Sequence, residues 1–171
     1  MLTPNQEKYL QTIPTDKVTA IKPFDPKVQE TAQAIIQQIK NESPNLEIFF
    51  GGASALGIAG QNDIDLNLLS TPEDYGKYIP TLTELFGQPA KTNPTLVKWE
   101  FNKDGFDIEL YLTDKNSKEL KRQIAVFDKL KTDLKLLKEY EQIKLASNGL
   151  PFREYMRRKY EFFNKILGIT K

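Results

Sequence analysis

Two aspartates in the first half of the chain have the type and spacing expected of a metal site. Asp63 and Asp65 alternate with apolar residues over residues 63–68, which predicts a β-strand. Side chains two apart in a strand point to the same face, so the two carboxylates lie together. Such a pair stays ionised when a cation lies between its members, and Mg²⁺ binds carboxylate and phosphate oxygens. The pattern therefore predicts a Mg²⁺ site, with Mn²⁺ as the alternative ion.

A pair of glycines precedes these aspartates. Gly51 and Gly52 end the apolar run 46–50, and ten residues separate Gly52 from Asp63. Adjacent glycines allow backbone N–H groups to approach phosphate oxygens closely. The alternative is a surface turn followed by a strand with an acidic outer face. The combination at this spacing favours a phosphate and metal site.

A second acidic face is predicted on a hairpin. Residues 97–101 and 106–112 both alternate with a period of two, and Asp104-Gly105 between them is a tight-turn signal. With a two-residue loop, Phe101 pairs with Ile108. That register places five polar side chains on one face: Lys98, Glu100, Asp107, Glu109 and Tyr111. A third metal-binding carboxylate would come from such a face if this strand lies beside the Asp63–Asp65 strand.

The amino-acid composition limits the kinds of metal site that the chain can form. The 171 residues are 39% hydrophobic and 27% charged, as in one globular domain. The chain contains no cysteine and no histidine, so disulfides and thiolate or imidazole metal sites are excluded and carboxylates must supply any metal ligands. Because we find neither a signal peptide nor an apolar span of membrane length, we expect a cytoplasmic protein without a membrane partner.

Charge is unevenly distributed. Residues 116–171 contain 14 basic and 7 acidic side chains, whereas residues 1–115 contain 10 basic and 16 acidic ones. This asymmetry suits an anionic ligand, although solubility alone explains many surface lysines. The aromatic residues fall on predicted core stripes, so nucleic acid has weak support as a partner.

The predicted fold is α+β, with a mixed β-sheet packed by helices and a C-terminal helical segment. We expect an N-terminal arm over residues 1–24 with a short helix near residues 5–10, then a helix over about 26–41. A helix that starts near Pro72 is expected to kink or break at Pro80, and residues 88–95 to form a loop. The predicted organisation is an arm at 1–24, an α/β core at 25–115 and helices at 116–171 of the same domain.

The glycine pair, the ten-residue gap and Asp63-Ile64-Asp65 resemble the signature of the nucleotidyltransferase superfamily, the polymerase-β-like fold. In that superfamily a third carboxylate comes from a neighbouring strand flanked by apolar residues. Asp107 and Glu109 both satisfy this pattern. We favour Asp107, whose shorter side chain near the turn is expected to lie level with Asp65.

Within that superfamily the chain is similar to the GrpB (UPF0157) family over most of its length. The segments that carry the resemblance are Pro23-Phe24-Asp25-Pro26, residues 51–58, Ile64-Asp65-Leu66, residues 140–144 and residues 155–162. The chain departs from the family by having Gly52 where a serine is common, by lacking histidine, and by having an acidic residue at Asp63.

The resemblance implies nucleotidyl transfer from an NTP to an acceptor hydroxyl. Backbone N–H groups at Gly51 and Gly52, the Ser54 hydroxyl and, from the family motif, Lys159 would bind phosphate. Asp63 and Asp65 would hold one Mg²⁺, and Asp65 with Asp107 or Glu109 a second. Lys98 is a further phosphate candidate, although a solvated strand lysine is the better expectation for it.

The alternative function is a catalytically inactive module that binds a nucleotide or a phosphorylated ligand on the same fold. Such a module needs the glycine loop but not three placed carboxylates. The acceptor, the nucleotide and the oligomeric state are left open by the sequence.

Overall fold

The computed structural model describes residues 1–169 and has an α+β fold, as the sequence predicts. The helices are α1 (Pro4–Thr12), α2 (Lys27–Glu42), α3 (Gly52–Leu56), α4 (Tyr75–Phe86), α5 (Lys118–Thr132), α6 (Leu134–Leu145) and α7 (Phe152–Ile166). The strands are β1 (Glu47–Gly51), β2 (Ile64–Ser70), β3 (Lys91–Asn93), β4 (Leu96–Lys103) and β5 (Phe106–Asp114). Pro72–Asp74 form a 3₁₀ turn.

The described residues divide into two compact units. The sheet unit comprises residues 25–57 and 62–124, and the helical unit comprises residues 1–24, 58–61 and the chain from residue 125 onward. Helix α5 belongs in part to each. The candidate carboxylates and glycines all lie in the sheet unit.

The sheet is mixed, with the strand order β1-β2-β5-β4-β3. β2 and β5 are parallel neighbours in its middle, and the other three pairings are antiparallel. One face of these two central strands carries a buried apolar cluster: Ile64, Leu66 and Leu68 in β2, and Ile108, Leu110 and Leu112 in β5. The opposite face therefore presents the polar side chains of both strands together.

The β4–β5 hairpin has the predicted turn and register. Asp104 and Gly105 have φ angles of 54° and 83°, as a tight two-residue loop requires. Phe101 pairs with Ile108, as predicted. The Thr31 hydroxyl of α2 donates a hydrogen bond to Asp104 Oδ2 at 3.0 Å, which ties the turn to a helix of the same unit.

One local expectation is wrong, and a second is wrong in one of its two alternatives. Residues 88–95 are not entirely loop, because Lys91–Asn93 form β3 and pair with β4. Of the kink or break expected at Pro80, the break does not occur, because helix α4 continues to Phe86. The proline removes one hydrogen bond from the helix, and burial of Tyr75 and Leu82 on either side of it stabilises the helix against that loss.

In the helical unit, α1 packs against α7. The buried cluster consists of Leu10, Ile13, Phe152, Tyr155 and Met156. A short helix was expected near residues 5–10, and α1 confirms it over Pro4–Thr12.

None of the helices within residues 1–169 has the length and apolar character needed to cross a membrane.

Candidate functional site

Asp65 and Glu109 are side by side on the polar face of the sheet. They are partners in the parallel register of β2 and β5. Gly51, the last residue of β1, is the partner of Asp65 on the other side. The order across the sheet at this level is therefore glycine, aspartate, glutamate, so that the glycine loop and two carboxylates converge.

Glu109 is held by two donors. The Lys98 ammonium donates to Glu109 Oε1 at 2.7 Å, and the Tyr111 hydroxyl donates to Oε2 at 2.6 Å. Burial alone would raise the pKa of Glu109, but the hydrogen bonds from Lys98 and Tyr111, the Lys98 charge and a hydrogen bond with Asp65 outweigh burial. The pKa of Glu109 is therefore lowered, and the group is a carboxylate at neutral pH.

Lys98 is an internal member of this network, so the expectation of a solvated strand lysine is wrong. Its side chain is only 18% exposed, and it forms ion pairs with both Glu100 and Glu109. Its Nζ atom also lies 5.3 Å from the centroid of the Tyr111 ring. Burial alone would lower the pKa of Lys98, but the two glutamates outweigh burial and raise it. Lys98 is thus a fixed positive charge within the acidic face.

Tyr111 is a site residue that the sequence placed on the correct face without assigning it a role. Burial raises its pKa, and its hydrogen bond to Glu109 raises it further. It therefore remains a neutral donor to the carboxylate. The alternation of polar residues in β5 was the signal that could have identified it.

Both the backbone conformation and the nearby Asp65 carboxylate favour glycine at position 52. Its φ angle is +77°, a conformation that L side chains rarely adopt. A Cβ atom at this position would lie 3.0 Å from Asp65 Oδ2. The absence of a side chain therefore allows the Asp65 carboxylate to lie close to the backbone of residue 52.

Ser54 and Asp63 are linked through the backbone. The Ser54 hydroxyl donates to the carbonyl oxygen of Asp63 at 2.5 Å, and Ser54 is buried. This bond holds α3 against the residue that precedes β2. In this structure the Ser54 hydroxyl serves the protein backbone, and its predicted role in phosphate binding stays a prediction.

Asp107 does not lie level with Asp65, so that expectation is wrong; Glu109 has this position. Asp107 is exposed, is the hairpin partner of Asn102, and accepts a hydrogen bond from the Asn102 amide at 3.3 Å. The first pair in the parallel register of β2 and β5 is Ile64 with Ile108. Asp63 and Asp107 each precede a member of that pair by one residue. The choice of the third metal ligand stays a prediction, and the register favours Glu109.

Lys159 lies in the helical unit, on α7, with its ammonium 5.6 Å from the centroid of the Phe163 ring. Its predicted phosphate role is likewise a prediction. A residue that sequence reasoning missed in this unit is Glu141, whose Oε1 accepts a hydrogen bond from the Ala59 N–H at 2.9 Å. Glu141 thereby holds the 58–61 segment, which connects α3 to β2 in sequence.

The donor set is suited to a hard divalent cation, since it consists of carboxylate oxygens. No group of three or more acidic side chains within residues 1–169 is gathered so as to hold a metal ion. An ion bound by Asp63 and Asp65 would take its remaining ligands from phosphate and water, as Mg²⁺ commonly does. The close approach of the Gly52 backbone to Asp65 would place a phosphate bound by the glycine loop near such an ion.

Solved structures of Cid1 show similarity to this chain. An RNA terminal uridylyl transferase structure of Cid1 is 16% identical with a TM-score of 0.43, and covers 81% of this chain and 46% of its own. Structures of the Cid1 poly(U) polymerase are also 16% identical. The structure with MgGTP bound has a TM-score of 0.40, and the match covers 81% of this chain and 47% of the polymerase. The structure with Mg 3′-dATP bound has a TM-score of 0.42, and the match covers 89% of this chain and 52% of the polymerase. The chain spans about half the length of these proteins.

No curated protein matches the chain. The protein family described as "GrpB protein" matches residues 18–168, which include both glycines, all four candidate acidic residues, Lys98 and Lys159. The resemblance found in the sequence is thereby confirmed, and the chain belongs to the GrpB family.

Proposed function

We propose that this protein is a Mg²⁺-dependent nucleotidyltransferase that transfers NMP from an NTP to an acceptor hydroxyl. The observation that carries the proposal is the alignment of Gly51, Asp65 and Glu109 at one level of the sheet. Gly52 adds to it because the lack of a Cβ atom lets the glycine loop lie close to the Asp65 carboxylate. A glycine loop beside acidic side chains is the arrangement that metal-assisted phosphoryl-group chemistry requires.

The residues have separate roles in this proposal. Backbone N–H groups at Gly51 and Gly52 bind the β- and γ-phosphates, and Asp63 and Asp65 hold the cation. A divalent cation bound there would neutralise phosphate charge and stabilise the attacking and leaving oxygens. Glu109, kept ionised by Lys98 and Tyr111, sets the charge beside Asp65.

The transfer step is an in-line displacement at the α-phosphorus. The acceptor oxygen forms a bond to the α-phosphorus as the bond from that phosphorus to the bridging oxygen of the β-phosphate breaks. Pyrophosphate leaves with the bonding electron pair, and the acceptor proton passes through a carboxylate of the site to solvent. No histidine or cysteine is needed for this chemistry.

A second candidate, a binding module without turnover, is favoured by a different observation. Both oxygens of Glu109 already accept hydrogen bonds, from Lys98 and Tyr111. This internal pairing makes Glu109 less available as a third metal ligand, which a binding module does not need.

The deciding experiment is transfer of label from α-phosphate-labelled NTPs in the presence of Mg²⁺. Acceptors of three classes are offered: RNA, aminoglycosides and protein hydroxyls. We expect label on one class with wild type and none with Asp65→Asn. Glu47→Gln is the matched control, since it removes an exposed carboxylate from the same face near the other end of β1. Nucleotide binding without transfer to any class would favour the module, and the absence of binding would contradict both proposals.

A further inference from the structure

We propose that Lys98 is a built-in counter-ion of the carboxylate site that limits it to a single bound divalent ion. The inference rests on the proposed function, because it concerns the same carboxylates. It departs from the two-ion arrangement expected from the sequence. Asp63 and Asp65 would bind the divalent ion, and the Lys98 ammonium would take the place of a second ion beside Glu109.

The first support is the position of the lysine. Lys98 reaches from β4 to Glu109 on the neighbouring strand β5, and Glu109 is itself the register partner of Asp65 on β2. The ammonium is therefore fixed one strand away from the residue that would be shared by two ions. Its low exposure means that solvent competes little for the ion pair.

The second support is the occupancy of Glu109. Lys98 uses one carboxylate oxygen and the Tyr111 hydroxyl uses the other, at 2.7 and 2.6 Å. Each oxygen keeps a second lone pair, but the charge of the group is already neutralised. A second divalent ion would have to bind within a few ångströms of an ammonium group, which repels it.

The third support is the paired anchoring of the lysine. Glu100 also forms an ion pair with Lys98, so two glutamates hold one ammonium in place. Glu100 is about half exposed, whereas Lys98 is not. Glu100 and Glu109 are themselves cross-strand partners, so two neighbouring carboxylates hold the ammonium, as expected for a permanent part of the site rather than a mobile surface charge.

The test is a titration of the full chain with Mn²⁺, in which free Mn²⁺ is measured by electron paramagnetic resonance. We expect one bound Mn²⁺ for wild type and two for Lys98→Met. The affinity for the second ion should rise by about tenfold or more in Lys98→Met, because a unit positive charge within contact distance has been removed. The double variant Lys98→Met/Glu109→Gln is expected to return to one. Lys98→Arg, which keeps the charge, is also expected to bind one.

Lys91→Met is the matched control. Lys91 is the β3 partner of Lys98 and is exposed, so its loss changes the net charge equally without changing a contact to Glu109. It is expected to bind one Mn²⁺. Two ions in wild type, one ion in folded Lys98→Met, or two ions in Lys91→Met would each overturn the counter-ion proposal while leaving the metal site intact. No bound Mn²⁺ in any variant would instead overturn the metal site of the proposed function, and the inference with it.

A measurement on wild type keeps the inference testable if Lys98→Met does not fold. The ammonium ¹⁵N resonance of Lys98, assigned by its loss in Lys98→Arg, is followed by NMR as Mg²⁺ is added. A resonance that persists at saturating Mg²⁺ is expected, because the ion pair with Glu109 stays in place. Its disappearance would mean that the cation displaces the lysine and would overturn the inference.

Discussion

At the scale of single residues, the site depends on one position without a side chain. Gly52 combines a left-handed backbone with a close approach to the Asp65 carboxylate. Gly76 in α4 is different, since a Cβ there would meet nothing within 4 Å. The two glycines therefore allow the cost of the site geometry to be measured separately from the general effect of replacing glycine.

We predict that Gly52→Ala destabilises the protein by about 1–2 kcal/mol, the cost of a left-handed conformation for an L residue. By contrast, Gly76→Ala, in the first turn of α4, is expected to stabilise it by roughly 0.4–1 kcal/mol, because alanine restricts the unfolded chain and fits this position without contact. The free energy of unfolding is measured by urea denaturation. Equal effects of both substitutions would show that the conformation at residue 52 is not strained.

At the scale of elements, helix α4 is tied to the segment that leads into β4. The Tyr75 hydroxyl donates to the Thr95 carbonyl oxygen at 2.8 Å, and Tyr75 is buried. Burial, together with the charges of Asp114 and Glu73, raises the pKa of Tyr75 to about 12. A tyrosine in the unfolded chain ionises near pH 10. The stability that Tyr75 contributes is therefore complete below pH 10 and is lost as the pH rises toward 12.

The effect of Tyr75→Phe on the free energy of unfolding is predicted to change sign as the pH rises. At pH 8 the variant loses one buried hydrogen bond and about 1 kcal/mol. Between pH 8 and 11 wild type alone loses about 1.4 kcal/mol from this group, most of it above pH 10, because the unfolded chain ionises there and the folded protein does not. Urea denaturation at pH 8, 10 and 11 measures the difference. Parallel pH profiles for the two proteins would refute the raised pKa.

At the scale of the whole molecule, the functional question is whether an anionic ligand and a cation bind together. The carboxylates and glycines lie within one compact unit, and the chain carries its excess of acidic residues before residue 116. A negative site binds a polyphosphate only weakly without a cation between them. Nucleotide binding should therefore depend on Mg²⁺.

Thermal unfolding with each of the four NTPs tests this dependence. With Mg²⁺, a nucleotide at 100 times its Kd is predicted to add about 2.7 kcal/mol, or about 5–11 °C in Tm for a chain of this size. Without Mg²⁺, or in the Asp63→Asn/Asp65→Asn variant, the shift should be absent, whereas Glu47→Gln should retain it. A shift that ignores both the metal and the double variant would favour a binding module.

Local geometry could be predicted from the sequence alone. Alternation with a period of two predicted the strands that contain Asp65 and Glu109, and Asp104-Gly105 predicted the hairpin register, because both signals act between neighbours in sequence. The glycine pair, its spacing from Asp65 and the C-terminal segments were also sufficient to indicate the GrpB family, which the comparison confirms.

Which polar groups meet could not be predicted from the sequence, because it depends on how distant strands pair. The parallel register of β2 and β5 joins segments about forty residues apart, and no local pattern encodes it, so Asp107 was favoured where Glu109 lies level with Asp65. Lys98 looked like a surface lysine for the same reason, since its burial depends on the strand beside it. Side-chain alternation fixes the face of a strand; pairing with a distant strand decides which neighbours share that face.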